Sequence, residues 1–183
     1  AARTAEIAEK ALGLIEVDYE VLPPVTDVLA AMAPDAPILD PDLRTRSLAG
    51  TGDEPTNVAM HFQQLKGDPE AGFAAADVIV EREFRSQMVH QGYLEPHAST
   101  AVWTETGDLT IYATTQGSFP LRDHVTRLLQ LPMSRVRVVP MEVGGAFGGK
   151  NSSVVDGVAA LLARKARRPV KVVMSRSETF LAT

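Results

Sequence analysis

A glycine-rich segment carries the strongest chemical signal in the sequence. Residues 143–150 hold four glycines within six positions, between a β-branched run that ends at Pro140 and a segment with helical spacing. Glycine permits positive φ angles and lets a ligand come within hydrogen-bonding distance of backbone N–H groups. Such a turn between a strand and a helix suits an anionic ligand, although a tight structural connection explains the pattern equally well.

The spacing of these glycines does not match the common nucleotide-binding patterns. Gly144 is followed by Gly145 and Ala146, which leaves no second glycine at the offset of the dinucleotide fingerprint, and Asn151 replaces the Ser or Thr of a phosphate-binding loop. Phe147 is an aromatic residue among glycines, and ordering it costs entropy. This cost favours a loop that is held in place for binding, and the ligand is not expected to be a nucleotide.

The titratable residues give weaker signals. A zinc site needs at least three converging ligands, and His61, His90, His97 and His124 form no closely spaced pair of the known motifs. We expect His90 and His97 to have hydrogen-bonded structural roles and His124 to lie on a helix surface. Glu95 could act as a general base if it is buried, but a carboxylate that fixes a loop by accepting backbone N–H groups is favoured.

The composition excludes several classes of protein. A hydrophobic fraction of 45% and a charged fraction of 22% indicate a globular chain, and a net charge of -5 disfavours nucleic acid as a partner. The sequence has no cysteine, so disulfides, cysteine-ligated zinc and iron–sulfur clusters cannot be built from these residues. It has no apolar run long enough to predict a membrane span, and no GxSxG motif of an α/β-hydrolase.

Hydrophobic periodicity predicts the elements that must position these residues. The N-terminal part is expected to contain a helix at residues 1–12 and a strand at residues 15–21, followed by a connector rich in proline and glycine. Both ends of the sequence read as cuts in a longer chain. From residue 77 onward the pattern predicts an α+β domain of mixed sheets with packed helices. Its strands are predicted at 78–84, 100–104, 109–113, 135–139 and 170–174, and its helices at 118–131 and 154–168.

Three more segments accompany the glycine-rich one. They are residues 91–97 (QGYLEPH), 114–116 (TTQ) and 168–178 (RPVKVVMSRSE). Taken in this order, the blocks resemble the molybdenum-binding subunit of the xanthine dehydrogenase/aldehyde oxidase family. Residues 15–24 resemble the end of the small domain that precedes it. The resemblance covers nearly the whole chain, and the ordered set of blocks is far more specific than any one of them.

The resemblance implies a molybdenum–molybdopterin cofactor, in some members as the cytosine dinucleotide. Gln116 matches the glutamine that hydrogen-bonds an oxygen on molybdenum. The alternative is a purely structural role, in which its polar side chain solvates a turn. Gly145, Ala146, Phe147 and Gly148 match the loop whose backbone amides contact the metal centre and the pterin. Neutral amide donors can orient such a group without adding a competing anionic ligand. Ala146 stands where many members have glycine, which predicts a negative φ at this position.

The resemblance also implies how the chain is organised. Residues 1–31 correspond to the C-terminal part of the small (hammerhead-like) domain, 32–76 to a connector, and 77–183 to the first part of the molybdopterin-binding domain. We therefore expect part of a cytoplasmic molybdenum-dependent oxidoreductase that acts on aldehydes, N-heterocycles or related small molecules. Its partners are expected to be the remainder of the molybdenum subunit and iron–sulfur and flavin subunits or domains.

Two features limit the expected activity. The family's general-base glutamate belongs to a later block, so no catalytic residue is assigned in this sequence and the fragment alone is expected to be inactive. Asn151 stands where purine-oxidising members often carry glutamate, which disfavours hypoxanthine and xanthine as substrates. A non-catalytic scaffold and a stand-alone ligand-binding domain that retain the fold are the alternatives.

Overall fold

The computed structural model describes residues 2–183, which divide into a first unit that ends at Arg82 and a second unit, Glu83–Thr183. The first unit contains short helices and one antiparallel two-stranded sheet. None of its three helices buries a residue. Its elements are α1 (Ala5–Leu12), α2 (Val28–Ala31), β1 (Arg44–Ser47), β2 (Gly50–Pro55) and α3 (Pro69–Ala74).

The helices of the first unit begin where the sequence offers a capping side chain. Thr4, Asp27 and Asp68 each accept a hydrogen bond from a backbone N–H in the first turn of the helix that follows. The helix predicted at residues 1–12 is confirmed for Ala5–Leu12, and Ala1 lies outside the described residues. The hairpin β1–β2 and helix α3 lie inside the predicted connector 32–76, where the sequence indicated no element.

Two predicted strands are wrong. Within residues 2–183, neither segment 15–21 nor segment 78–84 pairs with another strand, and apolar side chains such as Tyr19 and Phe84 are exposed. Alternation of apolar and polar residues shows only that a segment has two different faces. A strand also needs a partner to complete its hydrogen-bond ladder, and the alternation does not supply one.

The second unit is a four-stranded mixed sheet with helices packed on it. The strand order is β5-β4-β3-β6, in which β4 and β5 are parallel and the other pairs are antiparallel. This arrangement confirms the predicted α+β class. The elements are β3 (Ala98–Trp103), β4 (Leu109–Ala113), α4 (Ser118–Leu129), β5 (Val136–Pro140), α5 (Asp156–Ala166), β6 (Val170–Val173) and α6 (Arg176–Ala182).

The core of the second unit lies between the sheet and helices α4 and α5. Three fully buried alanines on α5 let this helix approach the sheet closely, and the indole Nε1 of Trp103 in β3 donates to the carbonyl oxygen of Ala160 at 2.8 Å. Burial of these apolar side chains is the main force that holds the layers together. The buried cluster comprises Ala101, Leu109, Ile111, Ala113, Leu121, Val125, Val136, Ala159, Ala160 and Ala163.

The strand directions bring four chain segments to one edge of this sheet. The first residue of β3 lies in register with the last residue of β6 (Ala98 with Val173), and the ends of β4 and β5 are also paired (Ala113 with Pro140). Because β3 is antiparallel to β4, its beginning lies beside the end of β4. Loops that precede β3 or follow β4, β5 and β6 therefore meet at this edge.

The helices carry no sign of a membrane segment. In the part of the chain that the structure describes, none is both long enough and apolar enough to cross a bilayer.

Candidate functional site

The edge defined by these strand ends gathers all four sequence blocks. Residues 91–97 precede β3, residues 114–116 follow β4, residues 143–150 follow β5, and the block 168–178 contains β6 and the start of α6. In open sheets with parallel strands, ligands bind beyond the carboxyl ends of the strands. The topology thus converts four distant sequence segments into one candidate site, which we call the glycine-loop site.

The side chain of Gln116 contacts the glycine loop directly. Its Oε1 accepts hydrogen bonds from the backbone N–H of Gly148 at 3.1 Å and of Lys150 at 3.2 Å. Only the oxygen of an amide can accept, so these two donors fix the orientation of the side chain. Its Nε2 has no protein acceptor within residues 2–183.

The loop itself takes conformations that need its glycines. Gly145 and Gly148 have φ angles of +88° and +95°, and Phe147 is left-handed at +47°. Ala146 is buried and is absent from the positive-φ residues, as its replacement of glycine required. Phe147 has 75% of its surface exposed, so burial does not explain why it accepts a left-handed backbone.

A buried lysine and a glutamate close the loop. Glu95 Oε2 accepts from the backbone N–H of Gly144 at 2.9 Å and from the ammonium of Lys150 at 2.6 Å, so one oxygen joins both ends of the loop. Burial raises the pKa of the Glu95 carboxyl, but the hydrogen bonds from Lys150 and Gly144 together with the nearby positive charge of Lys150 lower it more, and the pKa lies below its ordinary value. Glu95 therefore fixes the loop as an ionised acceptor, as the sequence favoured, and is not poised as a base.

Aromatic and imidazole groups surround the lysine. The Lys150 ammonium lies 5.1 Å from the ring centroid of Tyr93, whose hydroxyl is 2.9 Å from His97 Nε2 and 3.0 Å from the hydroxyl of Thr183. Burial lowers the pKa of His97 below its ordinary value, and the nearby ammonium adds to this effect. His90 bonds to the Gly92 N–H and to Thr183. Both histidines thus have the hydrogen-bonded roles that the sequence predicted, and His124 is exposed.

Three backbone donors of the loop have no partner in the part of the chain that the structure describes. Among residues 2–183, no acceptor is present for the backbone N–H groups of Gly145, Ala146 and Phe147. A Cβ built on Gly148 would meet no atom within 4 Å, so space lies next to the loop. Successive free N–H groups beside a free amide donor fit a ligand rich in oxygen and negative charge. This donor set fits a molybdopterin-type cofactor, and no set of three or more metal-ligating side chains competes with it in the described residues.

Comparison with known proteins identifies the domain. Residues 51–183, most of the chain, match the family model described as the molybdopterin cofactor-binding domain. The chain belongs to this family. The resemblance inferred from the four sequence blocks is thereby confirmed, and the glycine-loop site lies within the matched region of this molybdopterin cofactor-binding domain.

Named relatives and solved structures agree with this assignment. The chain is 34% identical to a probable xanthine dehydrogenase subunit of Bacillus subtilis, covering 98% of this chain and 22% of that protein. It is 31% identical to the nicotinate dehydrogenase large molybdopterin subunit of Eubacterium barkeri, covering 98% and 39%. Quinoline 2-oxidoreductase from Pseudomonas putida 86 superposes with a TM-score of 0.82 at 28% identity, covering 98% and 22%. The domain thus spans between about a fifth and two fifths of these relatives.

Sequence reasoning missed the role of Lys150. The sequence marks it only as the residue that follows the last glycine, yet it is fully buried and contacts Glu95, which lies 55 residues earlier in the chain. Sequence reasoning also missed Arg176, whose guanidinium donates to the carbonyl oxygens of Tyr93 and Leu94. For Lys150, the available signal was its position at the end of a glycine-rich loop that matches no phosphate-binding pattern.

Proposed function

We propose that the glycine-loop site is one wall of the molybdenum cofactor site of a larger oxidoreductase. Gln116 Nε2 and the N–H groups of Gly145, Ala146 and Phe147 would donate to oxygen atoms of the cofactor. The N–H of Gly148, which the resemblance also assigned to the cofactor, would instead act by orienting Gln116. When bound, the molybdopterin cofactor supplies the two-electron redox chemistry of such an enzyme.

The observation that carries this proposal is the fixed orientation of the Gln116 amide. Two backbone donors hold its oxygen, and of the two polar atoms of this side chain only the nitrogen stays free to contact a ligand. Preorganised donors of this kind stabilise negative charge without reorganisation when the ligand binds. The side chain itself is neutral, so it holds an oxygen acceptor in place without taking or giving a proton.

Two variants of Gln116 test the proposal in the full-length enzyme. Gln116→Glu keeps an oxygen that accepts from Gly148 and Lys150 but replaces the free donor with a second acceptor. Gln116→Ala removes both functions. We expect both variants to fold and to lose at least about 100-fold in turnover, comparable to the loss of one preorganised donor. Molybdenum near one atom per subunit in the wild-type enzyme supports the site, whereas metal-free wild-type enzyme would favour the scaffold alternative.

The substrate is proposed from the family and from one residue. We propose aldehydes, N-heterocycles or related small molecules, and we expect purines to be poor substrates because Asn151 replaces the glutamate of many purine-oxidising members. Turnover of a substrate panel that includes xanthine, an N-heterocycle and an aldehyde measures this directly. Xanthine as the best substrate would contradict the role given to Asn151.

The remaining partners are proposals of the same kind. From the family resemblance we propose that electrons leave through iron–sulfur and flavin components and that the enzyme works in the cytoplasm. The clusters would be held by other domains or subunits, because the chain has no cysteine. Three further expectations also stay proposals: the domain boundaries at residues 31 and 76, the inactivity of this part alone, and a cytosine dinucleotide form of the cofactor. Absorption spectra of the purified complex, cell fractionation and nucleotide analysis of the released cofactor test them.

A further inference from the structure

The contacts of Lys150 extend beyond a simple buried ion pair. Its ammonium is bound by Glu95, its backbone N–H donates to Gln116 Oε1, and its carbonyl oxygen accepts from the Gln116 N–H at 3.0 Å. Thr115 Oγ1 donates to the same carbonyl at 3.4 Å. Lys150 thus connects the Glu95 carboxylate on one side to the backbone and the side chain of Gln116 on the other.

Glu95 contacts the loop through both its backbone and its side chain. Its backbone N–H donates to the Gly144 carbonyl at 3.1 Å, while its Oε2 accepts from the Gly144 N–H and from Lys150 Nζ. The first glycine of the loop and the residue after its last glycine are therefore held by the same side chain. Hydrogen bonds that involve ionised groups are roughly twice as strong as neutral ones.

The surroundings leave this pair little freedom. Lys150 is fully buried, and the Glu95 side chain is 32% exposed. A Cβ on Gly144 would lie 2.8 Å from Glu95 Cβ, and a Cβ on Gly149 would lie 2.5 Å from Tyr93 Cε1. The glycines thus permit the close approach that brings the two charged groups together.

We propose that the ion pair of Glu95 and Lys150, which we call the loop clasp, positions Gln116 for the cofactor. The clasp fixes the backbone of Lys150, and this backbone holds the Gln116 side chain by its oxygen, which leaves Nε2 free to donate. Both members are positioning residues that act through Gln116 and do not touch the cofactor. This inference rests on the proposed function of the glycine-loop site.

The alternative is that the clasp has a purely structural role and only stabilises the fold. Removing one partner of a buried pair then destabilises the subunit, because the other charge stays buried without compensation. Loss of yield or activity alone would not separate the two roles. Two measurements separate a positioning role from a purely structural one. The first reports the order of the loop in subunit without the cofactor, and the second reports the surroundings of the cofactor in enzymes of equal molybdenum content.

The test uses Lys150→Met and Glu95→Gln in the full-length subunit. Lys150→Met removes the ammonium but keeps most of the stem, while Glu95→Gln keeps an oxygen that can accept from Gly144. The matched control is Lys10→Met, which removes the same group from an exposed ion pair with Glu6. Hydrogen exchange of peptides covering residues 143–150 is measured on molybdenum-free subunit, and the Mo(V) EPR signal is measured on loaded enzyme.

We expect loop exchange to rise about tenfold in Lys150→Met, less in Glu95→Gln, and not at all in Lys10→Met. In loaded enzyme of equal molybdenum content, the Mo(V) signal should shift in the same direction as in Gln116→Ala. Unchanged loop exchange, or faster exchange with a wild-type signal, would overturn the positioning role and leave the proposed function intact. If Lys150→Met yields no folded protein, Glu95→Gln decides by the same two readouts.

The molybdenum content of the wild-type enzyme tests the proposed function separately from the clasp. Wild-type enzyme that holds no molybdenum after expression in cofactor-competent cells would overturn the cofactor site, and the positioning role with it. The molybdenum content of the wild type is therefore measured before any variant.

Discussion

Gly149→Ala probes the packing behind the glycine loop. The added Cβ would lie 2.5 Å from Tyr93 Cε1 and 3.2 Å from both the Ala146 carbonyl oxygen and Gln91 Cδ. The Tyr93 ring cannot swing away easily, since its hydroxyl is bound to His97. Gly149 does not have a positive φ, so the cost of the substitution is steric and not conformational.

The expected cost is that of overpacking a dense interior, about 1–3 kcal/mol. If the loop and the segment 91–97 open together, this cost appears as a roughly 5- to 150-fold faster hydrogen exchange of both segments. Exchange measured by mass spectrometry on the full-length subunit reports each segment separately. If the loop amides bind the cofactor as proposed, the molybdenum content of Gly149→Ala should fall as well, because these amides lose their fixed directions.

Gly157→Ala is the matched control. Its added Cβ would contact Leu128 Cδ2 even more closely, but this atom is the far end of a flexible side chain that is 55% exposed. The leucine can rotate into solvent, and alanine favours helix α5 over glycine by about 1 kcal/mol. We expect unchanged or slower exchange in α5. Equal exchange of segments 91–97 and 143–150 in Gly149→Ala and Gly157→Ala would refute the steric argument.

Three more predictions concern the second unit. The pKa of His97 is lowered in the folded state, so its contribution to stability is present above its ordinary pKa of about 6.5 and is lost as the pH falls through the lowered folded value. Melting temperatures measured between about pH 8 and pH 5 should show this loss. The variant His97→Gln should not show it. Trp103→Phe removes the hydrogen bond to Ala160 and should cost about 1 kcal/mol in urea unfolding, with no change if the bond is dispensable. Ala160→Leu should cost at least about 1–3 kcal/mol, because α5 cannot retreat from the sheet without exposing the core; wild-type stability would show that it can.

Much of the second unit follows from local sequence patterns. Alternating residues predicted β4, a β-branched run predicted β5, and helical spacing predicted α4 and α5, all close to their observed bounds. These elements bury one face each, so their periodicity records the core directly. In segments 15–21 and 78–84 the same alternation was misleading, since no partner strand is present within the described residues.

The site followed from the sequence only in part. The loop amides and Gln116 were assigned through the family resemblance. In the structure, Gln116 contacts the N–H groups of Gly148 and Lys150 and not those of residues 145–147. The clasp of Glu95 and Lys150 was not predicted, because a charge pair formed across 55 residues leaves no local pattern. The assignment of Gly148 as a cofactor contact stays a prediction, and in the structure its N–H donates to Gln116.

The amino-acid sequence specifies the groups that are available for binding: a loop whose glycines free its backbone amides, one neutral amide side chain, and no thiol. Which of these groups come into contact depends on how the strands pair. Antiparallel pairing of β3 with β4 and β6, and parallel pairing of β4 with β5, bring four distant loops to one edge. Strand direction depends on hydrogen bonds between segments far apart in the chain, and the buried Lys150 obtains its counter-charge only when those segments pair.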